Sequence, residues 1–169
     1  LIDEGIKKIA VSTTGAIGLS NEGNFYVWGH EVALEKPIPE EALNEQGKIK
    51  DVAAGDLHFL VLTDDNNIIG WGDDSFSQTE YPREYEDLIK EEGGIRTIAG
   101  GDKYSVLITE EGTLRAWGAT LPTNLRSISS NYDKRVKDIA IGSTNILALL
   151  DDGSVTIFGT KGSEIDTLM

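Results

Sequence analysis

The 169-residue chain contains no cysteine, which excludes disulfides and thiolate metal centres and leaves the redox compartment open. Histidine is nearly absent too. Only His30 and His58 occur, neither in a motif with a nucleophile, so the usual general base near neutral pH has no partner in the pattern. Basic residues are scarce: 15 Lys and Arg stand against 29 Asp and Glu, a formal net charge of −14. That balance argues against a nucleic-acid backbone or an anionic membrane surface as partner. No apolar run approaches the roughly 18 residues of a membrane span, and the opening LIDEG has neither the basic nor the apolar part of a signal peptide. Gly93-Gly94 and Gly100-Gly101 lack the following Lys-Ser/Thr of a phosphate loop. The acidic pairs Asp64-Asp65, Asp73-Asp74 and Asp151-Asp152 do not form a calcium-loop pattern, and two of them fall where turn chemistry already calls for acidic residues. The sequence therefore assigns no catalytic residue, no cofactor and no metal.

What is present is a repeat. Four stretches, 6–29, 49–72, 95–118 and 136–159, superpose without a gap, and each runs 22 residues from its first residue to a closing aromatic, Trp28, Trp71, Trp117 or Phe158. Ala10, Ala53, Ala99 and Ala140 form an all-alanine column, which implies close backbone packing. Ser12, Gly55, Gly101 and Gly142 share another column, and Gly29, Gly72, Gly118 and Gly159 end the copies. A glycine that recurs in register implies a positive φ or an approach that a Cβ would block. Spacings between the aromatics drift through 43, 46 and 41 residues. Variable length thus sits between copies, where loops absorb it, and the chain reads as one repeat array.

Inside each copy the apolar residues alternate with the two-residue period of strands. Asn21-Glu22-Gly23, Asp64-Asp65-Asn66-Asn67, Glu110-Glu111-Gly112 and Asp151-Asp152-Gly153, acidic or amide residues ending on Gly or Asn, supply hairpin turns. Each copy is therefore expected to be a β-hairpin preceded by one further strand. The connections differ from one another. Pro39 is expected to start a single helical turn over Glu40–Leu43. Residues 82–90 are expected to form a short helix ended by Gly93-Gly94, with Tyr85, Leu88 and Ile89 on its buried side. The third connection, 119–135, shows no helical pattern.

The shared pattern, V-x-x-I-A-x-G, a hydrophobic strand, an acidic-Gly turn and Trp-Gly, resembles the repeat of the regulator of chromosome condensation (RCC1) family. The likeness spans nearly the whole chain and is most specific in the second copy. There the sequence from Ala53 to Pro82 is similar to the bacterial form, in which an Asn/Asp-x-x-x-Gln segment and a later proline follow Trp-Gly. His58 matches the histidine that this repeat often carries. It reads as a structural residue bonded to a neighbouring strand, and the other copies hold Gly15, Tyr104 and Asn145 in its column. The resemblance implies an all-β fold, a β-propeller in which each repeat supplies a four-stranded blade and which in the best-known members closes at seven. Four copies fit a fragment of a longer propeller, an open arc completed by additional repeats or another chain, or a closed four-blade ring. The wedge angle of a seven-blade ring favours the first two. The start without Met and an end inside an inter-copy segment fit excision from a longer polypeptide.

The phased tryptophans are expected in the core between blades. Aromatics outside the repeat columns, Phe76, Tyr81, Tyr85 and Tyr132, are the residues that binding faces favour. The candidate partner-binding residues are Asp73, Asp74, Phe76, Tyr81 and Tyr85, with His30 on a second loop. The expected function is non-enzymatic: a scaffold that presents inter-blade loops to a protein partner. The alternative is a structural or decoration component of a larger assembly, such as a phage virion or a bacterial surface protein. Family members also include a nucleotide-exchange factor for a small GTPase and a bacterial inhibitor of β-lactamases. Exchange activity would need a wedge-like insertion that these repeats lack.

Overall fold

In a computed structural model, which describes residues 3–29, 37–119, 121 and 135–159, each copy folds into one three-stranded antiparallel sheet. The sheets are β1 (Ile6–Val11), β2 (Gly15–Ser20) and β3 (Phe25–Gly29); β4 (Ile49–Ala54), β5 (His58–Thr63) and β6 (Ile68–Gly72); β7 (Ile95–Gly100), β8 (Tyr104–Thr109) and β9 (Leu114–Gly118); and β10 (Val136–Ile141), β11 (Asn145–Leu150) and β12 (Val155–Gly159). The middle strand of each sheet lies between the other two. The turn between the second and third strands of every sheet carries one left-handed residue in the same register, Gly23, Asn66, Gly112 and Gly153, with φ between 67° and 88°. Glycine and asparagine are the residues that tolerate this geometry.

The first strand of every sheet is bulged at its second residue: register shifts fall between Ile6 and Lys8, Ile49 and Asp51, Ile95 and Thr97, and Val136 and Asp138. A bulge turns one extra residue out of the ladder. Here that residue is a cation each time, Lys7, Lys50, Arg96 and Lys137.

Each sheet has a leading face toward the next copy and a trailing face toward the previous one. Between the first and second sheets, Ile17, Leu19 and Phe25 meet Ile49, Val52, Phe59, Val61, Ile69 and Trp71. Between the second and third, Leu60, Leu62 and Ile68 meet Ile95, Ile98, Leu107 and Trp117. Between the third and fourth, Val106, Ile108 and Leu114 meet Val136, Ile146, Ala148 and Phe158. The closing aromatics sit between sheets, as the phase of the repeat implies. Trp71 lies 5.7 Å from Phe25 and 5.8 Å from Phe59, ring centre to centre. Trp28 is the exception, 45% exposed where Trp71 is 2% exposed, because no described sheet precedes the first. The first and fourth sheets share none of these clusters, so the array is a partial propeller, all-β apart from short helices in its connections.

Among the described residues each sheet has three strands, where the resemblance implied four. After β6 the reason is local: side chains in 73–79 bond to the backbone N–H groups of Ser75, Phe76 and Thr79, donors that a fourth strand would need for its ladder. Helix α1 (Glu40–Asn44) has Pro39 at its N-cap and starts at Glu40, one position later than expected, since Pro39 itself was expected in the first helical position. A 3₁₀ turn at Arg83–Tyr85 runs into α2 (Glu86–Glu91), and Gly93-Gly94 follows with positive φ, as expected. Ile89 is buried under α2, whereas Tyr85 and Leu88 are only partly covered.

Candidate recognition site

Residues 73–85 follow the Trp71-Gly72 end of β6, and their path is set by three polar side chains. The Asp73 carboxylate accepts from the Ser75 N–H and hydroxyl and from the Gln78 amide. Those bonds, the Ser75 hydroxyl first, hold its pKa below the usual carboxylate range against a smaller opposing effect of burial. Asp74 accepts from the Thr79 N–H at 2.9 Å. Gln78 is fully buried, and its side-chain oxygen accepts from the Phe76 N–H at 2.9 Å. The Asp-x-x-x-Gln pattern read from the sequence is thus a loop staple.

Gln78 also ties the loop to the third sheet. Its carbonyl accepts from the Ser105 hydroxyl at 2.7 Å and from the Trp117 indole N–H at 3.1 Å. Because the one hydroxyl proton of Ser105 goes to Gln78, His58 Nε2, 2.9 Å from Ser105 Oγ, must be the donor in that pair. His58 Nδ1 then carries no proton, and it has no hydrogen-bond partner among the described residues. Burial pushes the imidazole pKa down to about 4, against the opposing charges of Asp73, Asp74, Asp56 and Asp102. The fold therefore places a serine beside His58 that the sequence pattern did not pair with it. Both side chains are fully buried, so the pair bridges sheets with no open path to a substrate. His58 packs against Gly55, where a Cβ would collide with the imidazole ring, and that accounts for the glycine in this column.

The other candidates separate by burial. Tyr81 packs edge-on against Trp117 at 6.5 Å, and the Tyr85 hydroxyl donates to the Ala116 carbonyl at 3.1 Å. Both rings fasten the connection to the third sheet. Phe76 is 44% exposed, with the Lys103 ammonium 5.2 Å from its ring centre. Exposed Leu57 lies on the neighbouring turn, whose carbonyl accepts from the Asp73 N–H. Phe76 is thus an apolar projection on a stapled loop, within a group of carboxylates, Asp56, Asp73, Asp74 and Asp102, all near enough to act on His58. His30 and Tyr132 lie outside the described residues. Leu57 and Lys103 were not singled out from the sequence. Their signal was available, since both occupy the position after Gly-Asp in the second and third copies.

A second set of residues missed from the sequence is the bulge cations. Lys50 Nζ donates to the Ile95 carbonyl at 2.6 Å and pairs with Glu110 at 2.9 Å. Arg96 donates to the carbonyls of Val136 and Lys137. Lys50 and Arg96 thus bridge to the first strand of the next sheet, and the column Lys7, Lys50, Arg96, Lys137 was visible in the alignment of copies.

Residues 49–78 match the sequence model of the regulator of chromosome condensation (RCC1) repeat. An RCC1 repeat-containing protein of Dictyostelium discoideum is 33% identical over 89 residues, 46% of this chain and 18% of that protein. The human E3 ubiquitin-protein ligase HERC2 is 33% identical over 72 residues, 41% of this chain and 2% of the ligase. These alignments span only a small part of either relative. Among solved structures, Saccharomyces cerevisiae Prp20p superposes with a TM-score of 0.70 at 20% identity, over 99% of this chain and 50% of that one. The CRINKLY WD40 ectodomain of the Arabidopsis thaliana receptor kinase ACR4 gives 0.67 at 17% identity, over 95% of this chain and 52% of that one. Set beside four sheets in repeat register, these matches make the chain an RCC1-like repeat protein with a β-propeller fold.

Proposed function

We propose that the chain is a non-enzymatic protein-recognition module, and that its contact face is built on the loop from Asp73 to Gln78 with the adjoining turns at Leu57 and Lys103. Folds of this kind are typically non-catalytic interaction scaffolds, and yeast Prp20p, a structural neighbour, has been solved with Kap60 bound and studied for binding to Gsp1p and histones. The observation that carries the reading is Phe76. A large apolar ring stands 44% exposed on a loop whose backbone is fixed by Asp73, Asp74 and Gln78, so its ordering cost is met before any partner arrives. Aromatic anchors of this kind dominate interface energetics. The surrounding carboxylates point to a partner that presents an apolar pocket with a basic rim. Asp73 and Asp74 then act chiefly by shaping the loop, and Tyr81 and Tyr85 by anchoring it.

The test replaces Phe76 by Ala and Leu57 by Ser together and measures the Kd of a partner obtained by selection against the wild-type chain. A loss of at least about tenfold is expected for a hot-spot aromatic. Unchanged affinity with unchanged stability would sink this face. The alternative of a docking module in a larger assembly is favoured by a separate observation, the apolar surface exposed on the outermost sheets.

A further inference from the structure

The seam between the second and third sheets departs from the repeat at one residue. At the first seam the Gly23 carbonyl accepts directly from the Ile49 N–H at 3.0 Å, and at the third the Gly112 carbonyl accepts from the Val136 N–H at 2.9 Å. At the second seam Asn66 holds the same left-handed turn position, and the Ile95 N–H donates instead to its side-chain oxygen at 2.8 Å. An amide is thus inserted where the other two seams join backbone to backbone. Gly94 makes room for it, because a Cβ there would come within 2.7 Å of that side-chain oxygen. At this insertion lies a cavity of about 450 Å³, walled on one side by the turn at 65–67 and on the other by α2 and Gly93-Gly94. Cavities of this size hold small-molecule ligands. We propose that it is a binding site for a neutral carbohydrate.

The polar groups that line the cavity are donors and acceptors together, and the protein leaves them unused. The bond from Ile95 fixes which end of the Asn66 amide is oxygen, so its nitrogen is a donor, and it has no partner among the described residues. Asn67 spends its amide nitrogen on Glu41 at 3.4 Å, which leaves the amide oxygen as an acceptor. Asp65 gives one carboxylate oxygen to the Thr63 hydroxyl and keeps the other. The Tyr81 hydroxyl, the Glu86 carboxylate and the Lys90 ammonium make no hydrogen bond or ion pair among the described residues. Burial first, and then the Glu86 charge, push the Tyr81 phenol up against a smaller pull from Arg83, so it stays protonated and able to donate. Donors at Asn66, Tyr81 and Lys90 therefore share one cavity with acceptors at Asp65, Asn67 and Glu86.

A hydroxyl both donates and accepts, so a polyhydroxyl ligand satisfies both sets. An anion would meet Asp65 and Glu86, and a cation would meet Lys90. The apolar part of the lining suits the C–H faces of a sugar ring: Ile89 is buried in the floor, and the Tyr81 ring is held edge-on against Trp117. Both walls are fixed before a ligand arrives. The turn is tied to the third sheet through Asn66, and the end of α2 by the Gly94 N–H, which donates to the Ile89 carbonyl at 2.8 Å. Little ordering cost is then left to binding.

The experiment is saturation-transfer NMR on the 169-residue chain with glucose, galactose, mannose, N-acetylglucosamine, maltose, cellobiose and lactose, and with glycine and acetate as charged probes. At least one of the sugars is expected to bind with a Kd in the millimolar range, and neither charged probe to bind as well. Asn66→Gly restores the turn residue of the other copies and their direct backbone bond, and is expected to abolish the signal. Tyr81→Phe keeps the ring against Trp117 and removes only the hydroxyl, and should weaken the Kd about three- to tenfold. Circular dichroism and melting temperature establish that each variant is folded, and either folded variant decides the place of binding. No signal from any sugar at tens of millimolar, preference for glycine or acetate, or a sugar Kd unchanged in a folded variant would each overturn the proposal.

Discussion

The fate of His58 at low pH gives the most direct check on the buried network. Its imidazole has no exposed surface, its Nε2–H is committed to Ser105, and a proton added at Nδ1 would have no acceptor among the described residues. The folded pKa is about 4, against about 6.5 in an unfolded chain. Below pH 6.5 the unfolded state binds more protons than the folded one, so stability falls as the pH drops. The contribution is fully present above the unfolded pKa and is lost as the pH passes from about 6.5 to about 4. At about 1.4 kcal/mol per pKa unit the whole loss is about 3 kcal/mol, and roughly 2 kcal/mol of it is gone by pH 5. The perturbation is His58→Gln, which can still donate to Ser105 and does not titrate. Urea unfolding of both proteins from pH 7 to pH 4.5 supplies the comparison, because carboxylate titrations common to both cancel in the difference. The wild type is expected to lose about 2 kcal/mol more than the variant between pH 7 and pH 5. Parallel stability curves would refute the buried, neutral His58 described here.

Two further substitutions test the interfaces between sheets. Asp51→Ala removes a buried carboxylate that serves three sheets and leaves the Val52 and Ile98 N–H groups without their acceptor; at about 1 to 3 kcal/mol per orphaned buried donor it should cost about 2 to 5 kcal/mol, which lowers the melting temperature by roughly 5 °C or more. Lys8→Met should cost less than about 1 kcal/mol, since Lys8 is substantially exposed. Equal losses for the two would contradict the orphaned donors of Val52, Thr97 and Ile98 as the source. Trp71→Ala should destabilise by about 3 to 5 kcal/mol, and Trp28→Ala by less than about 1 kcal/mol when measured on a single-copy chain. Chemical denaturation at a concentration where the chain is monomeric supplies the comparison, and similar penalties for both tryptophans would show that Trp28 is covered within one copy.

The division between what the chain's pattern shows and what the fold adds follows from how local each interaction is. The period-two strands, the turn column at Gly23, Asn66, Gly112 and Gly153, and the phase of the tryptophans depend on neighbours a few residues away, and all were legible in the alignment of copies. Bulge cations were equally visible, but their use was not, because Lys50 and Arg96 act on carbonyls 40 to 45 residues further along. The loop after Trp71-Gly72 was legible as the place where copies diverge. Which of its side chains face inward was not, since divergence does not distinguish Tyr81, packed on Trp117, from Phe76, left at the surface.

The sequence by itself determined that this is a repeat array of β units, how long each unit is and where its turns fall, because those depend on backbone conformation and on a period that any single copy carries. Only the tertiary structure decided which members of an identical column are buried. Trp28 and Trp71 have the same local sequence role, yet one is exposed and the other is core, because burial belongs to the neighbouring sheet and not to the residue. It is also the tertiary structure that puts Ser105 against His58 across 47 positions, and so makes a histidine next to a serine a strut between sheets.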